Sequence, residues 1–385
     1  MDIKLKYLIP SLLVVSSGSM AASYAVEARG DAMGGTGVVS ANYLTAPFYN
    51  PAIVAIYRRN DDAGMLLPSF GLTYNDPDDI SNTIDDVGDL IKDVEGGDSS
   101  REAELQSQLD ALNGGELKAD IGGAIAIGIP NQYISMNLFG KAYAETYVTP
   151  SIATTGSSTL DNAQNSTIDA VSVAVTEVGL SLAKYQTFLG QHISVGVSPK
   201  LQRVYTYVYE ASLKNYDLSD IDANSTGETV FNLDAGFLWF YGPVRVGFAA
   251  TNLVSRDITT RRVASNVSGK ADLQYSYQLR PLYTVGVGLI GDYASISVDY
   301  DLNEEERYTN FNDNTQMLRI GGEIDILRQL KLRAGYKKNL AYSNSEDVYT
   351  AGIGLSLLGL FELDAAVSYT NEHAKGAYVN FLSTY

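Results

Sequence analysis

The chain has 385 residues, 45% hydrophobic, with no cysteine and a formal net charge of −18. Lack of Cys excludes a disulfide scaffold, a thiol redox site, a Cys-ligated metal and a lipoprotein anchor. An acidic chain without a basic patch also argues against nucleic acid as a partner, and no later stretch reaches the roughly 18 unbroken apolar residues of a membrane helix.

Residues 1–25 read as an export signal. Lys4 and Lys6 make the positive start, Tyr7 to Val15 the short apolar core, and Ser19, Ala21, Ala22 and Ala25 offer cleavage sites. Residues 26–62 have neither helical nor strand period. The run from Glu27 to Gly37, with Gly34, Gly35 and Gly37, leads to Phe48-Tyr49-Asn50-Pro51-Ala52. Such a stretch buries no face of its own, so it is expected to act as a plug (hatch) in the mouth of something larger; a flexible linker is the alternative. Its glycines permit close packing and positive φ, Asn50-Pro51 sets a turn, and Arg29 and Asp31 suit pairing with charges of both signs.

Residues 63–385 read as an all-β transmembrane antiparallel barrel of about fourteen strands. Ala63 to Tyr74 is expected as its first strand. The acidic segment 75–116 places Ile80, Ile84, Val87, Ile91 and Val94, then Leu105, Leu109 and Leu112, at helical spacing. It is expected as a helical extracellular loop capping the barrel. From Leu117 the period becomes two: Ala294 to Asp301 alternates without fault, as do Phe231, Leu233, Ala235, Phe237 and Trp239 with their polar neighbours. Tight turns alternate with long polar loops, a regularity that a soluble sandwich has no reason to show. Tyr, at 27 residues against a single Trp, suits a water–lipid boundary. The last residues, Ala377 to Tyr385, resemble the terminal-strand signal read by the barrel-assembly machinery, with Ser383 departing from the pattern.

No catalytic or metal set assembles from this sequence. His192 and His373 have no neighbouring ligands, and Asp217 to Asn224 has Ser225 and Phe231 where a calcium loop needs Gly and Glu. No cofactor is expected. The residues singled out are charges predicted to face the lumen: Arg245, Asp299, Arg319, Glu323 and Arg333, with Asp325, Lys331 and Lys337. They either brace the barrel or line a polar path. Pro199 and Pro281 interrupt strands, because Pro cannot donate to a ladder.

The run from Ala28 to Ala52, together with Val197 to Tyr207, Phe231 to Gly236 and Asn252 to Asp257, resembles the conjugal transfer protein TraF family. The first run is also similar to the hatch of the long-chain fatty-acid transporter (FadL) family. The resemblance implies a monomeric barrel in the outer membrane of a Gram-negative bacterium, in contact with lipopolysaccharide. In the FadL family a kinked strand opens a lateral window for apolar substrate, and Pro199 would be the matching strand break. Passive transport of small hydrophobic ligands is the function so implied. A non-transporting envelope component of a conjugation or secretion system, with the barrel as anchor, is the alternative; an enzyme acting near His373 is a third. Transport predicts an apolar pocket beside the plug and a breach in the wall, whereas the anchor reading predicts a lumen closed by charge pairs and an ordered outer cap.

Overall fold

The computed structural model describes residues 27–57, 63–214, 226–265, 267, 270–309, 313–343, 345–357 and 360–384. The export signal, Asp217 to Asn224 and Tyr385 lie outside them.

Period-two sequence gives strands that pair with their neighbours in chain order. They are β1 (Gly64–Leu66), β2 (Phe70–Asn75), β3 (Leu117–Ile129), β4 (Ser135–Ser151), β5 (Thr167–Phe188) and β6 (Gln191–Ser212). Next come β7 (Thr226–Tyr241), β8 (Val244–Thr251), the hairpin β9 (Arg256–Thr259) and β10 (Ser276–Leu279), β11 (Leu282–Ile290) and β12 (Ala294–Asp301). The chain finishes with β13 (Met317–Ile326), β14 (Leu330–Asn339), β15 (Asp347–Leu357), β16 (Phe361–Asn371) and β17 (Ala374–Thr384). All pairings are antiparallel, and the sheet closes where β17 meets β1 and β2. Both short strands pair with β17 and with β3, so they are two halves of one stave. With β9 and β10 forming a sheet of their own, the described wall is a closed barrel of fourteen staves.

The expected single strand Ala63 to Tyr74 is therefore broken at Leu67-Pro68-Ser69. Pro68 has no N–H to give the ladder, while Leu67 N still donates to Phe381 O (2.9 Å) and Ser69 N to Ala124 O (2.9 Å), holding the two halves in line.

Alternate residues face opposite ways, and the apolar ones face out. On β5, Val178 is 62% exposed while its neighbours Glu177 and Ser181 are 7% and 0% exposed. That arrangement inverts a soluble protein and matches a wall set in hydrocarbon with a polar interior. Among the described residues, no helix is long and apolar enough to cross a membrane, which says nothing of a barrel, whose strands would do so.

The wall is uneven in height. Strands β5 and β6 run 22 residues each, whereas β8 and β12 run 8. A tilted spanning strand needs about 9–11 residues, so the loop-end halves of β5 and β6 stand clear of lipid.

Helices α2 (Ile80–Glu95) and α3 (Glu102–Leu112) form where the helical spacing predicts them, joined by α4 (Thr159–Gln164). Their apolar faces pack on Leu117, Val148, Ile168, Ala170, Tyr209 and Ala211. In the alternation these are outward residues: on β5, Asp169 and Val171 point inward, and Ile168 and Ala170 away. The helices thus clasp the outer face of the tall strands, and the expectation of a cap over the mouth is corrected. What folds into the loop-end mouth is the hairpin β9–β10 with Tyr308. Ile258, Tyr277, Leu279 and Tyr308 pack there against inward-facing Val171, Val173, Val175, Val204 and Val230.

Candidate functional site

Residues 27–57 lie inside the barrel, filling its turn-end half. The segment opens with the short helix α1 (Ala28–Ala32), then reverses through Gly34 and Gly35 at φ 70° and 83°. It makes 3-10 turns at Ala46–Phe48 and Pro51–Ala55.

Its seat is a belt of inward-facing glycines. Gly196 pairs with Gly236, Gly247 with Gly286, and Gly321 with Gly335 across the ladders. A Cβ at Gly335 would run into the Gly34 nitrogen, at Gly321 into the Met33 carbonyl, and at Gly196 into the Pro51 backbone. At Gly247 it would stand 2.7 Å from Val38 O. The wall therefore meets the segment backbone to backbone.

Polar side chains of the wall then hold that backbone. Asp299 Oδ2 accepts from Gly37 N (2.7 Å) and Val38 N (2.9 Å). Thr350 Oγ1 accepts from Gly34 N and donates to Ala32 O, both at 2.9 Å. Asn137 Nδ2 donates to Tyr43 O and Leu44 O, and Ala28 N donates to Asn380 Oδ1. Asn50 Nδ2 donates to Val38 O (2.8 Å) and to Phe237 O (3.1 Å), while its Oδ1 accepts from Ala52 N (3.0 Å). Asn50 thus ties the middle of the segment to its last turn and to β7, with Pro51 starting the turn and Ala52 receiving Ser194 Oγ at its carbonyl.

The charges form separate clusters. At the turn end, Glu323 bridges Arg29 (3.1 Å) and Arg333 (2.6 Å), and Arg333 also reaches Glu362 (2.9 Å) and Asp364. Farther in, Arg319 pairs with Asp301 (2.8 Å), and Lys200 with Asp234 (2.8 Å) and Glu177 (3.5 Å). Toward the loop end, Arg307, 1% exposed, pairs with Glu145 at 2.8 Å. Within the segment, burial pushes the Glu27 and Asp31 carboxyls above their ordinary range, against the pull of Arg29 on the first and Lys337 on the second. All five lumen charges predicted from sequence face inward; among the described residues Arg245 has no carboxylate partner, and its Nη1 donates to Val39 O (3.1 Å).

Among the described residues, cavities flank the segment on two sides. One of about 100 Å³ is lined by Lys141, Glu177, Lys200, Asp234, Asp299 and Arg319. The other, about 540 Å³ at the turn end, is lined by Arg29, Arg245, Glu323, Asp325, Lys331 and Glu362 among others. Both are polar. In the wall, β7 has β8 partners only from Ala235 to Tyr241, and the chain leaves the sheet at Asn252 (φ 54°) to form β9. Pro199 sits on the outer face of β6, opposite Leu233. The β5–β6 ladder lacks its two pairs between Gly179↔Lys200 and Leu182↔Val197 but resumes in the same register, so this is a gap without a bulge. Pro281 separates β10 from β11. His192 stacks with Tyr185 and Phe240 at the turn-end rim, and His373 lies beside Asp79 between β16 and β17. Among the described residues, no group of His, Asp and Glu is placed to hold a metal ion.

The wall glycines escaped the sequence reading, which weighed only those of the segment. Their signal was Gly at inward register on successive strands. It became legible once the pairing was known.

A family model described as "F plasmid transfer operon, TraF, protein" matches residues 47–301. No curated protein matches the chain. Among solved structures, the CymD monoaromatic hydrocarbon channel aligns with a TM-score of 0.59 at 10% identity, over 94% of this chain and 97% of that one. A deletion mutant of the TodX monoaromatic hydrocarbon channel aligns at 0.57 and 10% identity, covering 93% and 98%. A Pseudomonas aeruginosa FadL homologue aligns at 0.55 and 11%, covering 96% and 99%. At such identities the likeness is one of fold.

Proposed function

We propose that this chain, which belongs to the TraF family of the F plasmid transfer operon, is a passive outer-membrane channel for small hydrophobic molecules, closed at rest by its N-terminal segment. In this reading the turns face the periplasm, and the helices α2 and α3 stand outside the cell. The observation that carries it is the seating of residues 27–57 on the wall glycines. A fourteen-stave barrel is wide enough to leave an open lumen unless something fills it, and this wall forgoes side chains where the segment lies. Support for apolar cargo comes from the similar folds described as hydrocarbon channels. Because the lumen is charged, apolar cargo would enter lipid through the wall, and the low stretch beside Asn252 and the ladder gap at Pro199 are the places where pairing is thinnest.

A second reading rests on the lumen itself. Charge pairs close it and ordered helices flank it, as expected of an envelope component that uses the barrel as an anchor. One experiment separates the two. The full chain and a variant lacking Val26 to Ala46 are reconstituted in planar bilayers and expressed in cells supplied with a monoaromatic hydrocarbon. The channel reading expects hydrocarbon uptake above barrel-free cells, and higher conductance in the deletion. Unchanged conductance in an assembled deletion, with no uptake by the full chain, would leave the anchor reading.

A further inference from the structure

The turn-end cavity holds two charges that the protein does not neutralise. Its other charged lining residues are matched: Arg29 with Glu323, Lys331 with Glu362, and Arg328 with Asp292. Asp325 is 9% exposed, and among the described residues its buried Oδ1 has no hydrogen-bond partner. Lys331 lies directly across the ladder from Asp325, yet it turns to Glu362. Among the described residues, Arg245 has one partner, the Val39 carbonyl, for its five donors. Between the two in ring order stands Ser295, whose buried Oγ is also unpartnered, and Ser40 of the N-terminal segment offers another such hydroxyl.

A charge withdrawn from water without a counter-charge is costly, so this arrangement favours a guest that brings both signs. We infer that the turn-end cavity is a binding site for a short zwitterionic peptide, its carboxylate on Arg245 and its ammonium on Asp325, with Ser295 between them. The size fits. The volume of about 540 Å³ falls within the range of about 300–1,000 Å³ of small-ligand pockets. Strands β8 and β13 are separated by β11 and β12, and the ladders set Arg245 level with Gly321, four residues from Asp325, so the two backbones stand roughly 19 Å apart, about 14 Å across the strands and about 13 Å along them. The two side chains shorten that gap to a span that two or three residues fill at about 3.3–3.6 Å each. The site does not depend on the transport of apolar molecules, whose route would run through the wall. A guest there would touch Arg29 and Ser40, and so would bind only while the segment is seated.

The test is calorimetric titration of the purified full-length chain in detergent with trialanine, N-acetyl-trialanine and trialanine amide. Saturable binding of trialanine at one site is expected, weakened at least tenfold by either block. Asp325→Asn should bind trialanine and its N-acetyl form alike, and Arg245→Met should bind trialanine and its amide alike. If either variant fails to assemble, the blocked peptides decide the matter on the unaltered chain. Equal binding of all three peptides, no saturable binding, or a heat signal reproduced by sodium chloride alone would overturn the inference. Loss of hydrocarbon uptake with trialanine binding intact would count against the channel reading only.

Discussion

Two irregular segments interrupt the strand pattern, and they are held on opposite faces of the wall, the inner one chiefly by its backbone and the outer one by an apolar stripe. Residues 27–57 sit inside the barrel, fixed by backbone against wall glycines and by hydrogen bonds with Asp299, Thr350 and Asn137 of the wall and through Asn50, while Leu44, Ile53 and Val54 pack into small apolar patches of the lumen. Helices α2 and α3 sit outside it, fixed by an apolar face on the outward residues of tall strands. The first seat is steric and directional, so one methyl group in the wrong place breaks it. The second is held by burial of area, so it should tolerate polar changes and yield gradually to lost volume.

The largest expected effect comes from filling the inner seat. Gly335→Val should unseat the segment in an assembled barrel, raising single-channel conductance toward that of the deletion. Gly322→Val, one residue from Gly321 but turned outward, with only Ser295 O at 3.4 Å, should change nothing. Equal conductance in the two variants would refute the backbone seat.

Next comes the ion cluster that anchors the inner segment to the wall. The Arg333 side chain is fully buried among Glu323, Glu362 and Asp364. Arg333→Met leaves three carboxylates without their common partner, a loss of about 3–5 kcal/mol. The temperature at which the folded form unfolds on a denaturing gel should fall, and an unchanged value would show the cluster to be dispensable.

The outer seat should fail on its own. Ile84, fully buried between helix and wall, loses about 2–5 kcal/mol of local stability on replacement by Ala. Protease should then cut within residues 80–112 while conductance stays that of the unaltered chain. A conductance change would mean that the helices do close the mouth after all.

The smallest effect concerns Asp313, in the loop between β12 and β13, which holds the Tyr308 amide. Burial pushes its carboxyl up from 3.8 to about 6, against the pull of Arg307. Because the folded value is the higher one, its stabilising contribution is complete below about 4 and is lost as pH rises through about 6. Protection of the Tyr308 amide from hydrogen exchange should decline across that window, and Asp313→Asn should flatten the decline. A flat profile in the unaltered chain would sink the assignment.

By itself the sequence determined the staves, since a strand with one face in lipid and one in a polar lumen must alternate, as Ala294 to Asp301 does. It determined that 80–112 is helical, because Ile80, Ile84, Val87 and Ile91 repeat with the period of a helix, and that residues 27–57 need a host, because they have no period. Only the tertiary structure decided which surface each would use. A helical stripe states that a face is buried but not on which side of a wall, and the extra height of β5 and β6 offered the outside. Neither Gly321 nor Gly335 looks unusual within its own strand. The pairing of those strands sets the two side by side beneath Met33 and Gly34, because register is a property of the closed sheet and is absent from any one strand.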